Sequence, residues 1–252
     1  MGGLSYIGVE DARGQKGLRL VLTQGIPAPW GMAARSLFEI KKIPFTAVTQ
    51  AAGAGNENLV AWTGHNSAPV AMYDDERPRA IWSEQLMLAE RLAPEPALIP
   101  ADQDQRAEMF AICHEISAED GLGWNLRNLI FEAGRESGNV LPQFIHKYGS
   151  GATADHCRRR INQILGMLGR KLDMQKAKGR DYFVGDRLSA ADIYWTAFSN
   201  LMAPMPDEIV EVPEYYKAFG IPCMAAVEVP MDALFAHRDR VARKYFDTPL
   251  RF

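Results

Sequence analysis

Leu18, Leu20 and Leu22 alternate with Arg19, Val21 and Thr23, the period of a strand with one strongly apolar face, and Gly25 with Pro27 ends the run. A helix follows. Trp30, Ala34, Leu37 and Lys41 share a helical spacing, Ala33, Phe38 and Ile40 widen the apolar face, and Ile43-Pro44 stops it. Phe45 to Thr49 reads as a second strand, so the order strand, helix, strand predicts a right-handed βαβ unit with parallel strands. Ala51 to Asn58 is small and polar, the composition of a mobile loop.

His65 to Ser67 are turn-formers that run into an apolar strand, Ala68-Pro69-Val70-Ala71-Met72. Proline is tolerated at a strand start because it need not donate to the ladder there, and the bond before it can be cis or trans. Tyr73 to Arg79 is a polar turn, and Ala80-Ile81-Trp82 reads as a short strand. Ser83-Glu84-Gln85 opens a helix whose face carries Leu86, Ala89 and Leu92; serine followed by an acidic residue is a capping signal, and a ligand role weighs equally. Ala93 to Pro100 holds three prolines in eight residues, a stiff connector and the clearest domain boundary in the chain.

Beyond the connector the pattern is mainly helical. Met109, Ile112, Cys113 and Ile116 share one face, and Leu126, Leu129, Ile130 and Ala133 another after Gly121 and Gly123, which either bend one helix or separate two. His114 and Glu115 are adjacent and so point about a quarter turn apart, which makes a surface histidine of His114 rather than half of an acid/base pair. Thr153 to Lys178 is a strong amphipathic helix, and Arg158 to Arg160 at its start form a solvated face. Ser189 and Asp192 have the spacing of a capping box, flanked by Leu188 and Ile193 as a hydrophobic staple; the Ser189 cap is worth on the order of 1 kcal/mol. An apolar helix runs on to Leu201, and Leu234 to Tyr245 is a charged amphipathic helix.

The junction between the first strand and the first helix carries the chemistry. Pro29 suits the first helical position, which makes Ala28 the N-cap, and alanine has no oxygen to offer the N–H groups of Trp30 and Gly31. Such donors, at the positive end of a helix, suit a phosphate, carboxylate or thiolate, although water or a neighbouring loop commonly satisfies them.

Composition narrows the field. The chain has 252 residues, 47% of them hydrophobic, enough for one large core or two modest ones. A net charge of -3 with mixed signs gives no general attraction to nucleic acid or to an anionic membrane, and no apolar run is long enough to span a bilayer. The three cysteines, Cys113, Cys157 and Cys223, lie far apart without metal-ligand spacing, which argues against a disulfide framework or a zinc site and fits a reducing cytoplasm. Residues 1–16, Gly-rich and polar, read as a flexible lead-in rather than a signal peptide.

The order of parts, from the strand-helix-strand opening through Ser67-Ala68-Pro69-Val70, the Ser83-Glu84-Gln85 helix start and the proline-rich connector to Gly185-Asp186-Arg187-Leu188-Ser189-Ala190-Ala191-Asp192, resembles the cytosolic glutathione transferase superfamily. The resemblance spans roughly Leu18 to Leu201. It implies an α/β plus all-α fold, with a thioredoxin-like glutathione-binding domain over residues 17–92, a linker over 93–102 and a helical glutathione transferase C-terminal domain over 103–252, paired as a homodimer.

Carried over by position, Pro69 is similar to the family's cis-proline and Ala68 to the residue whose backbone pairs with the cysteinyl part of glutathione. Glu84 and Gln85 match the acidic-then-serine pair that holds the γ-glutamyl end, with Ser83 taking that place if the register shifts by one. Ala28 stands where the family has its catalytic cysteine or serine, which leaves the amides of Trp30 and Gly31, and the hydroxyl of Thr23, as the groups able to favour a thiolate. The implied function is conjugation of glutathione to a hydrophobic electrophile held by helical-domain residues such as Trp124 or Phe131, without a metal. Two other readings stay open: a non-catalytic binding or assembly module, and a glutathione-dependent lyase or isomerase.

Overall fold

A computed structural model describes residues 3–252. They divide into two compact units. One runs to Pro96 and adds Pro206–Pro213 and Phe246–Phe252; the other comprises Ala97–Met205 and Glu214–Tyr245.

The first unit contains β1 (Tyr6–Ile7), α1 (Val9–Arg13), β2 (Leu18–Thr23), α2 (Pro29–Ile40), β3 (Phe45–Gln50), α3 (Glu57–Thr63), β4 (Val70–Tyr73) and α4 (Trp82–Leu92). Its sheet has the order β1-β3-β2-β4, with β1 and β2 parallel to β3 and β4 antiparallel to β2. As a central strand β2 is covered on both faces, so Val21 and Arg19 are buried along with the leucines. Val21, Val48 and Val70 pack with Ala12 of α1 and Leu59 of α3, while on the other face Leu22 lies against the first turn of α2. A guanidinium is buried cheaply only if its donors are used; Arg19 donates to the carbonyls of Gly17 and Asp74 at 2.7 and 2.8 Å.

Three local expectations are corrected. Within the expected flexible lead-in, Tyr6 and Ile7 pair with Ala47 and Val48, and Ala12 is fully buried. The loop after β3 is pinned rather than mobile: the Asn56 amide donates to the carbonyls of Ala51, Ala54 and Asn66, at 2.9, 2.9 and 3.1 Å, and Asn56 adopts φ 55°, a left-handed conformation that asparagine tolerates. In place of a strand at 80–82, a single bridge joins Arg79 to Ala71, and Trp82 already opens α4.

The ends of α2 and α4 are tied by Lys41, whose buried ammonium pairs with Glu90 at 2.7 Å and donates to the carbonyls of Ala93 and Pro96 at 2.6 and 2.8 Å. The two returning segments pair with each other through Val210 and Leu250. They reach α2 through Arg35, which donates to the Arg251 carbonyl at 2.6 Å, pairs with Glu39 at 2.7 Å and lies 5.0 Å from the Phe252 ring.

The second unit is helical: α5 (Gln103–Ser117), α6 (Leu122–Glu136), α7 (Pro142–Tyr148), α8 (Ala154–Lys176), α9 (Ala190–Ser199), α10 (Glu214–Lys217), α11 (Gly220–Ala225) and α12 (Asp232–Tyr245). The glycines after α5 separate two helices rather than bend one. A Cβ at Gly121 would stand 2.7 Å from the Ala118 carbonyl oxygen, so the tight turn requires glycine. Ser189 and Asp192 form the capping box of α9. Asp192 is fully buried, and its carboxylate also accepts from the Phe183 N–H at 3.0 Å and from His237 Nε2 at 3.0 Å. Arg240 donates to His237 Nδ1 at 3.1 Å, which leaves the ring proton on Nε2 facing Asp192. The carboxylate thus anchors α12 to α9 as well as capping a helix.

Candidate functional site

Strand register gathers the predicted residues at one end of the sheet. Val21 is opposite Val70, so the chain continues from β2 to Leu22 and Thr23 beside Pro69 and Ala68 on the antiparallel neighbour. The turn after Thr23 uses Gly25 at φ 75° and then enters α2 at Pro29. Ala28 is the N-cap, with extended backbone and no side-chain cap bond; its own N–H donates to Ile26 at 2.8 Å and its carbonyl accepts from Met32 at 2.8 Å. Trp30 is half-buried and Gly31 buried.

The Thr23 hydroxyl is committed. It donates to Gln50 Oε1 at 2.7 Å across the β2–β3 pair, so its proton already has an acceptor.

The Ala68-Pro69 bond is cis. These two residues, with Val60, His65, Ser67 and Ala80, line an open hollow of about 460 Å³. The hollow is polar at its His65 and Ser67 side, a feature that the turn-forming composition of this loop did not single out.

The start of α4 differs from the sequence reading. The N-cap is Ile81 rather than Ser83, because the helix begins one residue before the serine, and Ile81 supplies no side-chain cap. Ser83 falls in the first turn, half-buried. Glu84 points to the polar turn after β4 and pairs with Arg77 at 2.8 Å, and that hydrogen bond holds the Arg77 guanidinium above its ordinary pKa. Gln85 is turned inward and almost fully buried. Its amide donates to the carbonyls of Pro69 at 3.1 Å and Arg79 at 3.0 Å, and its backbone N–H to Ile81 at 3.1 Å. The donors of Gln85 are thus used within the fold, where its amide holds the Pro69 strand to the helix.

In the helical unit, Trp124 is half-buried under the Arg127 guanidinium, which lies 4.3 Å from its ring and 5.6 Å from that of Tyr148. Burial pulls the Arg127 pKa down to about 10. Phe131 lines a separate cavity of about 530 Å³. Burial pushes the thiols of Cys113, Cys157 and Cys223 up, which makes poor nucleophiles of all three. Among the described residues no three histidine, cysteine or acidic side chains gather in a metal-binding group.

A thioredoxin-like sheet with a cis-proline opposite a helix start, followed by a helical unit with a capping box, is the architecture of the glutathione transferases. Residues 133–219 match the model of the glutathione S-transferase C-terminal domain. Among solved structures, the chain is similar to a glutathione S-transferase from Methylobacterium radiotolerans in complex with glutathione sulfonate, at 22% identity and TM-score 0.60, covering 94% of this chain and 96% of that one. It is also similar to a Pseudomonas putida glutathione transferase with one glutathione disulfide bound per subunit, at 16% identity and TM-score 0.61, over 96% and 93% of the two chains. A Marinobacter aquaeolei glutathione S-transferase domain-containing protein aligns at 17% identity and TM-score 0.63, over 90% and 98%. No curated protein matches the chain. The fold is that of a glutathione transferase, and residues 133–219 carry that likeness at the level of sequence.

Proposed function

We propose that the protein is a glutathione transferase-type enzyme that joins the glutathione thiolate to a hydrophobic electrophile. The observation that carries the reading is the strand register that brings Ala68 and Pro69 beside the end of β2, from which the chain turns into α2. A peptide thiol seated on the Ala68 backbone would meet the positive end of α2. Backbone amides at a helix start favour a thiolate over a thiol without needing a side chain at position 28. In this reading the amides of Trp30 and Gly31 do the work of the missing hydroxyl or thiol, Glu84 or Ser83 meets the γ-glutamyl end, and Trp124 or Phe131 meets the electrophile. The glutathione derivatives held by the Methylobacterium and Pseudomonas enzymes support the choice of thiol substrate.

The protein acts as a homodimer in this reading. Ile81, 57% exposed, and Met87, 46% exposed, are two large apolar side chains that the fold of one chain leaves uncovered at and on α4. Three buried free cysteines suit a reducing cytoplasm, and no helix among the described residues is long and apolar enough to cross a membrane.

Two observations favour a second reading, a binding or assembly module without turnover: the Gln85 side-chain donors are already used within the fold, and Ala28 offers no nucleophile. Turnover assays with glutathione and a panel of aryl halides, enals and epoxides separate the two. Conjugation above the uncatalysed rate supports the enzyme; glutathione bound but unreacted across the panel supports the module.

A further inference from the structure

The last turns of α12 meet the segment that leads into α9. Arg240 and Lys244 stand four residues apart, so their side chains share one face of the helix, with Tyr245 next in the chain. Tyr182 of the facing segment is fixed along its backbone: its carbonyl accepts from Gln175 Nε2 at 2.7 Å, and the N–H of Phe183 after it donates to Asp192 at 3.0 Å. Tyr182 itself is 7% exposed, whereas Asp181 and Lys244 are exposed and Arg240 and Tyr245 half-buried. The ring is packed inside, and its hydroxyl lies among surface groups.

Donors converge on that hydroxyl. The Tyr245 oxygen lies 2.5 Å from it, and Lys244 Nζ donates to it at 3.4 Å. The Arg240 guanidinium lies 5.0 Å from the centre of the Tyr182 ring, held there by bonds to the Asp181 carbonyl and to His237 Nδ1, the latter at 3.1 Å. A donated hydrogen bond and a nearby cation both favour the deprotonated form of an oxygen acid. Burial pushes the Tyr182 phenol up, but the hydrogen bonds from Tyr245 and Lys244 outweigh it and leave the phenol below its ordinary pKa. Tyr245 moves the other way, through burial and through its bond to Tyr182. Tyr245 is therefore the donor of the pair and Tyr182 the acceptor. Together these groups make an oxyanion hole whose occupant is a phenol of the protein itself.

An oxygen held in this way is an activated nucleophile. Its neighbours also select the electrophile. A phosphoryl oxygen gains negative charge as phosphorus is attacked, and Lys244 and Arg240 stand beside the attacking oxygen to meet that charge. We propose that Tyr182 is a site of covalent modification by neutral phosphate triesters that carry an aryloxide leaving group. The Tyr182 oxygen attacks phosphorus, a new P–O bond forms, the P–O bond to the aryl group breaks, and the aryloxide leaves with the electron pair. The phenol proton passes to solvent. Tyr245 and Lys244 act through the Tyr182 oxygen and are positioning residues. The site is independent of the transferase reading.

The test mixes the full chain with diethyl para-nitrophenyl phosphate in the absence of glutathione, follows release of para-nitrophenolate, and locates the added group by peptide mass spectrometry. Release is a single burst of about one equivalent per chain, as a covalent adduct that does not turn over requires, and the diethylphosphoryl group is found on Tyr182. Y182F abolishes the burst. Y245F and K244Q retain it but slow it about tenfold at neutral pH, as a smaller phenolate fraction requires. Both also move the midpoint of the rate against pH upward, with circular dichroism unchanged. The absence of a burst, a group carried by Lys244 or any other residue in place of Tyr182, a burst that survives in Y182F, or pH profiles of Y245F and K244Q that match the parent's would overturn the assignment.

Discussion

The Gln85 side-chain amide donates to the carbonyl of Pro69 at 3.1 Å and, with its second hydrogen, to that of Arg79 at 3.0 Å. One buried amide thus joins the start of the cis-proline strand, the bridge opposite it and the first turn of α4. Replacing Gln85 by Leu keeps most of the volume and takes from the Pro69 carbonyl its side-chain donor, while the Arg79 carbonyl keeps the Ala71 N–H at 2.9 Å. Each buried polar group left unsatisfied costs about 1–3 kcal/mol. The urea midpoint therefore falls well below that of the parent protein, and glutathione affinity falls with it. A midpoint equal to the parent's would mean that the amide holds nothing in place.

Glu84→Ala separates the same helix start into fold and ligand roles. The Glu84–Arg77 pair is largely solvent-facing, with the arginine side chain 65% exposed, and pairs of this kind contribute little to stability. The urea midpoint stays close to the parent's, while calorimetry records weaker glutathione binding. Unchanged affinity would remove Glu84 from the site.

For Thr23→Val the expectation is the reverse. The hydroxyl donates to Gln50, so its loss costs roughly 1 kcal/mol of stability. Conjugation continues at a rate close to the parent's if backbone amides of α2 favour the thiolate. A collapse of kcat with an intact fold would assign the thiol proton to Thr23 instead.

Arg35→Met probes the attachment of the returning C-terminal segment to α2. Burial raises the Glu39 carboxyl above its ordinary pKa, and Arg35 opposes that shift. Without the guanidinium the Glu39 pKa rises further, so the folded variant binds a proton that the unfolded chain releases. A group with a raised folded pKa favours the folded state at low pH and loses that contribution as pH climbs through the folded value. The variant is therefore less stable than the parent at neutral pH, and the gap between their urea midpoints narrows toward pH 5. A gap that is constant or wider in acid contradicts this.

How much of this was legible in the sequence depended on where each element's partners lie along the chain. β2, α2, β3 and α8 follow from their own periodicity, and Ser189 with Asp192 is a purely local signal. Ala12 looks like part of a polar lead-in because its burial comes from Val21, Val48 and Leu59, distant in sequence. The inward turn of Gln85 was hidden by the capping signal at Ser83, since α4 starts at Trp82 and rotates every later side chain about its axis. His237 carries no local signal at all; its meaning comes from Asp192, 45 residues earlier. The pairing of Val210 with Leu250, and through it the hold on Arg35, is equally nonlocal.

Calorimetric titration of the full chain with reduced glutathione tests the central claim most directly, if paired with S-methylglutathione, which cannot form a thiolate. The account predicts saturable binding of glutathione in a reducing buffer, with affinity rising as pH increases from 6 to 8 while that of the S-methyl compound stays level. An absence of binding at millimolar glutathione, or identical pH dependence for the two peptides, would contradict it.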